Sequence, residues 1–311
     1  NPEWVPQISE MDHMGSGTSG EVYLATLGEG GPQIAIKVLE VVNEERYRIV
    51  QRELRALQKF GGGDVIRFFG STLEEFDGDE DELRRHLLFE PMAYIFTEAA
   101  NGNLYDTVIR KNIRRVSTDA KLRMMIQILR GLRKLERQGY VHRDVKPENI
   151  LTFGDCLSPS GCQVKIGDFG CTCPISECTR DMNDLVGSPL YMAPEVWTGK
   201  THTAKSDTWS AGMLAFELFI GSLPLPFMDD IRRRLPSDLS RVQAGQFLPK
   251  GLDISKDKRF QKFAHKDREL GSLLASMLTK SVRRRPSIGQ SLSRAKAIAR
   301  RRGIFVPDQE D

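Results

Sequence analysis

Cysteine is scarce in this chain, with five among 311 residues, so no disulfide-dense small scaffold fits it. A surplus of charge of one sign is missing too. Forty-five Lys and Arg against 42 Asp and Glu leave +3 with the histidines neutral, which gives no global case for nucleic acid or an anionic membrane. The longest apolar run, 209–225, is interrupted by Glu217 and falls short of the ~20 residues that span a bilayer. No basic segment followed by an apolar stretch opens the chain, but it starts at Asn1, so this decides nothing about compartment. There is no internal repeat and no low-complexity linker. What remains is the composition of an ordinary folded protein, 40% hydrophobic and 28% charged. At about 150 residues per domain the length corresponds to roughly two folding units.

The first hundred residues read mainly as strands and the rest mainly as helices. Residues 21–27 and 33–41 are β-rich runs split by the turn segment Gly28 to Pro32, which predicts a hairpin. In the second run Ala35 and Lys37 share a face. Residues 43–59 place Tyr47, Val50, Leu54 and Leu57 at helical spacing. Strands are expected near 65–73 and 92–98, around a solvated loop in which seven of the nine residues from Glu74 to Glu82 are acidic. Further on, 119–137 carries Leu122, Met125, Ile126, Leu129, Leu132 and Leu135 on one stripe, and 208–220 is apolar nearly all round, as a buried central helix would be. A basic, loop-rich stretch is expected from 228 to 266, and more helix from 268 to 300. Charge separates into patches, the acidic loop 74–82 against basic runs at 232–234, 283–285 and 300–302.

Gly15-Ser16-Gly17-Thr18-Ser19-Gly20 is a G-x-G-x-x-G. By itself it suits a dinucleotide site or a plain glycine-rich hairpin equally well. A dinucleotide fingerprint opens a helix, whereas Gly20 leads into the strand-like Glu21-Val22-Tyr23-Leu24. A glycine loop between antiparallel strands can lower backbone N–H groups onto phosphates, because no Cβ obstructs the approach. On the next strand Lys37 lies under that loop, and a half-buried lysine needs a partner, for which Glu53 is suitably placed. The strongest segment is His142-Arg143-Asp144-Val145-Lys146-Pro147-Glu148-Asn149, followed 19 residues later by Asp168-Phe169-Gly170.

Together these segments resemble the eukaryotic protein kinase family, serine/threonine type, from about Met14 to about Ser287. The resemblance extends to Ala193-Pro194-Glu195, to Asp207-Thr208-Trp209-Ser210-Ala211-Gly212 and to Arg285-Pro286. It implies an α+β, bilobal kinase fold: a β-rich N-lobe over 1–100, a helical C-lobe over 101–303 and a tail over 304–311, with the lobes meeting near Ala100. It also implies ATP and Mg²⁺ as cofactors, a protein substrate, and a Glu195–Arg285 ion pair. Asp144 would orient a substrate hydroxyl and accept its proton. Lys146 would neutralise the γ-phosphate, and Asn149 and Asp168 would offer oxygens to Mg²⁺. Thr97 would be the gatekeeper, backbone groups of Glu98 and Ala100 would meet the adenine edge, and Met14, Val22, Ala35 and Leu151 would form apolar walls. Lys146 and Ser188, the latter expected to bridge Asp144 and Lys146 through its hydroxyl, point to Ser/Thr substrates. Glu148 and Glu217 match positions that favour basic residues before the phosphosite. Partners expected are ATP and a protein Ser/Thr site, without nucleic acid or a transmembrane segment, in a monomer.

In the family, Arg143 meets a phosphorylated residue of the activation segment. Counting back from Gly187, that position is held by Asp184, whose carboxylate would pair with Arg143 without modification and support basal activity. Thr172 and Thr179 are the candidate phosphosites. The segment between the central helix and Leu270 is longer than usual for the family, and Ser281-Val282 stands where Asp-Pro is usual. All five cysteines fall between Cys156 and Cys178, in a spacing that matches no common zinc pattern. Cys156 and Cys162 flank the turn of an expected hairpin between 150–153 and 163–166, where a cross-strand disulfide is conceivable. Cys171, Cys173 and Cys178 follow the D-F-G. Inert free thiols are the default expectation, with a cytoplasmic domain; disulfides would instead suggest a secreted or vesicular one. Two other functions compete. A pseudokinase-like scaffold would bind nucleotide or partners without turnover, although the residues such scaffolds lose are present. A small-molecule kinase fits poorly with a full activation segment through Glu195.

Overall fold

The computed structural model describes residues 8–17, 20–73, 92–158, 161–178, 187–197, 202–224 and 253–307. The chain divides into two compact units, residues 1–100 with 168–170, and residues 101–167 with 171–311.

The first unit is built on an antiparallel sheet of β1 (Ile8–Gly17), β2 (Gly20–Leu27), β3 (Gln33–Glu40), β4 (Phe68–Ser71) and β5 (Met92–Glu98), in the order β1-β2-β3-β5-β4. The hairpin expected at Gly28 to Pro32 is closed by Leu27 N–H donating to the Pro32 carbonyl at 3.1 Å. Strand alternation sends Ile34 and Ile36 into a core with Ala25 and Phe96. α1 (Glu44–Phe60) starts where the side chain of Asn43 accepts from Arg46 N–H at 2.8 Å, and it buries Tyr47, Val50, Leu54 and Leu57 on one face. Within the stretch 65–73 only Phe68–Ser71 forms a strand. The acidic loop 74–82 lies outside the described residues.

The second unit is helical, with short strands between its helices. α2 (Thr118–Arg137) is capped by Ser117, whose side chain accepts from Ala120 N–H, and all six residues of the expected stripe are buried. α3 (Ala204–Ile220) is buried from Ser206 to Leu218, the central helix that its apolar composition predicts, and ends at Gly221 in the left-handed conformation with φ +98°. The unit is completed by α4 (Lys258–Lys266), α5 (Arg268–Met277) and α6 (Ile288–Arg301). α4 corrects the expectation of a loop through residue 266. Its lysines and arginine mask an apolar side on which Phe260 stacks with Phe216 at 5.8 Å and Phe263 tilts against Phe219 at 5.7 Å. The basic run 232–234 lies outside the described residues.

Arg285 has no exposed side-chain surface and forks onto Glu195, with distances of 2.6 and 2.9 Å. It also lies 5.0 Å over the Trp209 ring. Removing one partner of such a pair costs about 3–5 kcal/mol, because the other charge stays buried. The short strands are β6 (Gly102–Asn103), β7 (Tyr140–Val141), β8 (Ile150–Phe153), β9 (Gln163–Ile166) and β10 (Cys173–Pro174). β8 and β9 form the expected hairpin, and β10 pairs with β7. Here the free-thiol expectation gives way. The hairpin brings the Cα atoms of Cys156 and Cys162 to 4.2 Å, the turn after β10 brings those of Cys173 and Cys178 to 6.1 Å, and both pairs are disulfides. Loops this short give each bridge about 2 kcal/mol of chain-entropy stabilisation. Cys171 stands outside both bridges. Among the described residues no helix is long and apolar enough to cross a membrane.

Candidate active site

In the first unit the glycine-rich segment is the tip of the β1–β2 hairpin, with Gly17 paired to Gly20. Thr18 and Ser19 lie outside the described residues, as do the side-chain surroundings of Ser16. Two glycines explain themselves differently. Gly20 has φ +125°, and a Cβ there would meet the Val38 carbonyl oxygen at 2.4 Å, so the fold itself demands glycine. At Gly15 a Cβ would meet nothing within 4 Å. That open side is what a phosphate approaching the backbone requires.

The sheet register then places the nucleotide candidates. Ala35 on β3 faces Leu24 on β2 and Thr97 on β5, and Lys37 faces Val22 and Ile95. The N–H of Glu98 is donated to the Arg67 carbonyl at 3.0 Å and is not open to an adenine ring nitrogen in this conformation. Met14 is exposed, and Val22, Glu98 and Ala100 are half-buried. Lys37 Nζ lies 2.6 Å from Glu53 Oε1 and 3.3 Å from Asp168 Oδ1. Burial alone would lower the lysine's pKa, but the two carboxylates override it and hold the ammonium above its ordinary range. Burial pushes the Glu53 carboxyl up, and Lys37 is the main group pulling it back. Asp168 adopts φ +54°, uncommon for a residue with a side chain.

In the second unit the strained residue is Arg143, with φ +69°. The buried Asp207 carboxylate at the head of α3 holds it there, accepting from His142 N–H at 2.7 Å and Arg143 N–H at 3.0 Å. The His142 ring links the loop to its surroundings: Nε2 lies 3.1 Å from the Gly167 carbonyl, and Nδ1 accepts from Asp144 N–H at 3.3 Å. Asp144 is gripped from three sides. Asn149 Nδ2 donates to its Oδ2 at 2.9 Å and to its carbonyl at 2.8 Å. Lys146 Nζ also meets Oδ2 at 2.9 Å, and Ser188 N–H donates to Oδ1 at 2.7 Å. Thus Ser188 reaches Asp144 through its backbone, while its hydroxyl accepts from Lys146 at 2.8 Å; the expected bridge exists, but the hydroxyl makes only half of it. The approach requires Gly187, with φ +102°, since a Cβ there would meet the Arg143 carbonyl oxygen at 2.4 Å.

Asn149 spends its amide nitrogen on Asp144, which turns its acceptor oxygen to other use. Among the described residues no group of three or more His, Cys, Asp or Glu could hold a metal alone. A donor set of single amide and carboxylate oxygens fits Mg²⁺, which takes one or two protein ligands and completes its shell with phosphate and water. Leu151 is half-buried on β8, opposite Lys165. Glu148 is exposed, whereas Glu217 is buried and accepts from Tyr191 Oη at 2.5 Å; burial pushes its carboxyl up.

Among the regulatory candidates, Arg143 Nε donates to the Cys171 carbonyl at 2.5 Å. Thr172 is buried, and its hydroxyl has no hydrogen-bond partner, an environment closed to a modifying enzyme in this conformation. Thr179 and Asp184 lie outside the described residues. Sequence reasoning gave no role to His142, Asp207, Gly187 or Tyr191. The signal available was the run that opens with Asp207, a carboxylate directly before the uncharged stretch 208–216 of the central helix.

Residues 8–295 match the protein kinase domain model. The chain belongs to the protein kinase family. Its relatives include the Dictyostelium discoideum serine/threonine-protein kinase atg1, 29% identical over 73% of this chain and 34% of that protein. They also include the Schizosaccharomyces pombe Aurora kinase, 31% identical over 69% of this chain and 55% of that protein. The Saccharomyces cerevisiae DNA damage response protein kinase DUN1 is 29% identical over 70% of this chain and 43% of that protein. The kinase domain described here thus spans between one third and about half of these relatives' lengths.

The Lys37–Glu53 pair yields a thermodynamic prediction. Lys37→Met leaves Glu53 buried beside Asp168 without its cation and should lower stability by about 3–5 kcal/mol. Adding Glu53→Leu should recover much of that loss. Denaturation of the four proteins in a double-mutant cycle checks it, and additive losses would contradict the pairing.

Proposed function

We propose that this domain is an active, Mg-ATP-dependent kinase that phosphorylates serine and threonine hydroxyls of proteins. The observation that carries the reading is the set of donors on Asp144: Lys146, Asn149 and the Ser188 N–H fix its carboxylate, and a fixed carboxylate is what in-line phosphoryl transfer asks of a protein. Asp144 orients the substrate hydroxyl and takes its proton. Lys146, already between Asp144 and Ser188, is placed to offset charge on the transferred group. Lys37, kept charged by Glu53 and Asp168, would meet the nucleotide phosphates. Asn149 and Asp168 would offer oxygen ligands to Mg²⁺, which with ATP would supply the phosphoryl group and offset its negative charge.

Basal activity belongs to this reading, with the Asp184 carboxylate serving Arg143 where relatives of the family use a phosphate. Exposed Glu148 favours basic residues before the phosphosite, with Glu217 set back behind Tyr191. The test uses bacterially expressed, phosphatase-treated protein with radiolabelled ATP and a basic Ser/Thr peptide. Wild type should transfer phosphate, and Asp144→Asn should lose at least about a hundredfold in kcat, the range of a positioned general base. Wild type that is inert until phosphorylated at Thr172 or Thr179 would refute basal activity, and negligible transfer by both proteins even after phosphorylation would identify a scaffold without turnover.

We also propose an oxidising, secretory or vesicular compartment in place of the cytoplasmic default, on the strength of the two disulfides. Protein isolated from its natural source under alkylating conditions and then unfolded should show one reactive thiol of five; five without added reductant would refute the assignment.

A further inference from the structure

The second unit carries a feature that phosphoryl transfer does not use. Near the start of α6, an open cavity of about 880 Å³ is walled by Arg133 of α2, Lys205 of α3, the run Arg283, Arg284 and Arg285, and Arg294 of α6. No Asp or Glu is among its lining residues. Two of the cations are internally balanced. Arg285 is spent on Glu195. Arg133 is paired with Glu136, whose carboxylate also accepts from Ile288 N–H at 3.2 Å and Gly289 N–H at 3.1 Å and so occupies the N-terminus of α6.

The other four are not balanced. Lys205 Nζ donates to the carbonyls of Val282 at 2.9 Å and Arg283 at 3.2 Å. Arg294 donates to the hydroxyls of Ser276 at 2.6 Å and Ser272 at 3.1 Å. These neutral acceptors hold the cations in place without cancelling their charge. Arg283 and Arg284 are exposed, and among the described residues no carboxylate pairs with any of the four. Four like charges thus converge on one concavity from three separate segments of chain, with Lys205 78 or more residues from the other three. That arrangement raises the local potential for an anion.

We propose that this cavity binds a small ligand bearing clustered phosphate groups. Guanidinium forks meet phosphate and carboxylate oxygens alike in pairs, but a phosphate brings more charge and three acceptor oxygens in one compact group. A phosphate monoester carries about 1.5–2 negative charges near neutral pH, so two or three of them balance four cations. The volume lies within the roughly 300–1,000 Å³ of small-ligand sites, larger than one phosphate needs. Ser287 and Gln290 add neutral hydrogen-bonding groups to the same wall. The site is separate from the nucleotide candidates, since none of its lining residues is among them.

The probe is inositol hexakisphosphate, titrated calorimetrically into the whole chain. Saturable binding that weakens with salt is expected. Arg283→Ala/Arg284→Ala, at exposed positions where folding is undisturbed, should weaken it about tenfold or more, as loss of charged hydrogen bonds predicts. Lys262→Ala/Lys266→Ala removes equal charge from exposed positions on α4 and should leave the affinity within about twofold. Unchanged melting temperatures in both variants show that folding is intact. Absence of saturable binding by wild type, or equal loss in the two double variants, overturns the proposal. A second arm distinguishes sources. Co-sedimentation with phosphatidylcholine vesicles containing phosphatidylinositol bisphosphate, lost in Arg283→Ala/Arg284→Ala, assigns a lipid headgroup; calorimetric binding without co-sedimentation assigns a soluble ligand.

Discussion

One buried carboxylate sets the geometry of the catalytic loop. Asp207 accepts two consecutive backbone N–H groups, from His142 and Arg143, and in doing so holds Arg143 in a left-handed conformation that a non-glycine residue adopts only at a cost of about 1–3 kcal/mol. The direction of the chain through Asp144 follows from that constraint. Gly187 packs against the Arg143 carbonyl where no side chain fits, which lets the Ser188 N–H reach Asp144. Asn149 and Lys146 close on the same carboxylate. The desolvation of Asp207 pushes its carboxyl up, and the two backbone donors, with the nearby His142 and Arg143, work against that shift. The site is therefore assembled from backbone N–H groups of His142, Arg143 and Ser188 together with the side chains of Lys146 and Asn149, a fixed arrangement of the kind that electrostatic preorganisation requires.

Three kinds of charge stand out among the described residues, which the near-zero total conceals. Some are buried and matched, as in Lys37 with Glu53 and Asp168, or Arg285 with Glu195, where loss of one member leaves the other stranded. Some cap helices, as Glu136 does at α6. A third set, Lys205, Arg283, Arg284 and Arg294, is oriented by neutral acceptors or left exposed at the rim of one cavity. This last set leaves a field available to a ligand in that cavity.

Much of this was legible in sequence because chemistry restricts residue identity at short range. The segments around Asp144 and Asp168 must carry particular oxygens and an ammonium at near-fixed spacing, and the alternation of Ala35 and Lys37 on β3 follows from strand geometry alone. The apolar character of α3 announced its burial. What stayed hidden depends on long-range placement. The partners of Asp207 lie 64 and 65 residues away, and nothing local indicates them. Ser188 showed its hydroxyl in sequence, whereas its contact with Asp144 uses the backbone. The charge of α4 obscured Phe260 and Phe263, Thr172 looked like an accessible hydroxyl, and the disulfides needed two turns whose closure no spacing rule guarantees. The run 283–285 was visible as a basic patch, but Arg133, Lys205 and Arg294 come to it only through packing.

The claim that Asp207 preorganises the catalytic loop is tested most directly by steady-state kinetics of Asp207→Asn. Asparagine keeps the shape but offers one acceptor oxygen and an amide that faces the second N–H as a donor. The account predicts a kcat reduced by about ten- to a hundredfold, the equivalent of one charged hydrogen bond, with the KM for ATP nearly unchanged and the far-ultraviolet circular dichroism retained. A variant with wild-type kcat would contradict it.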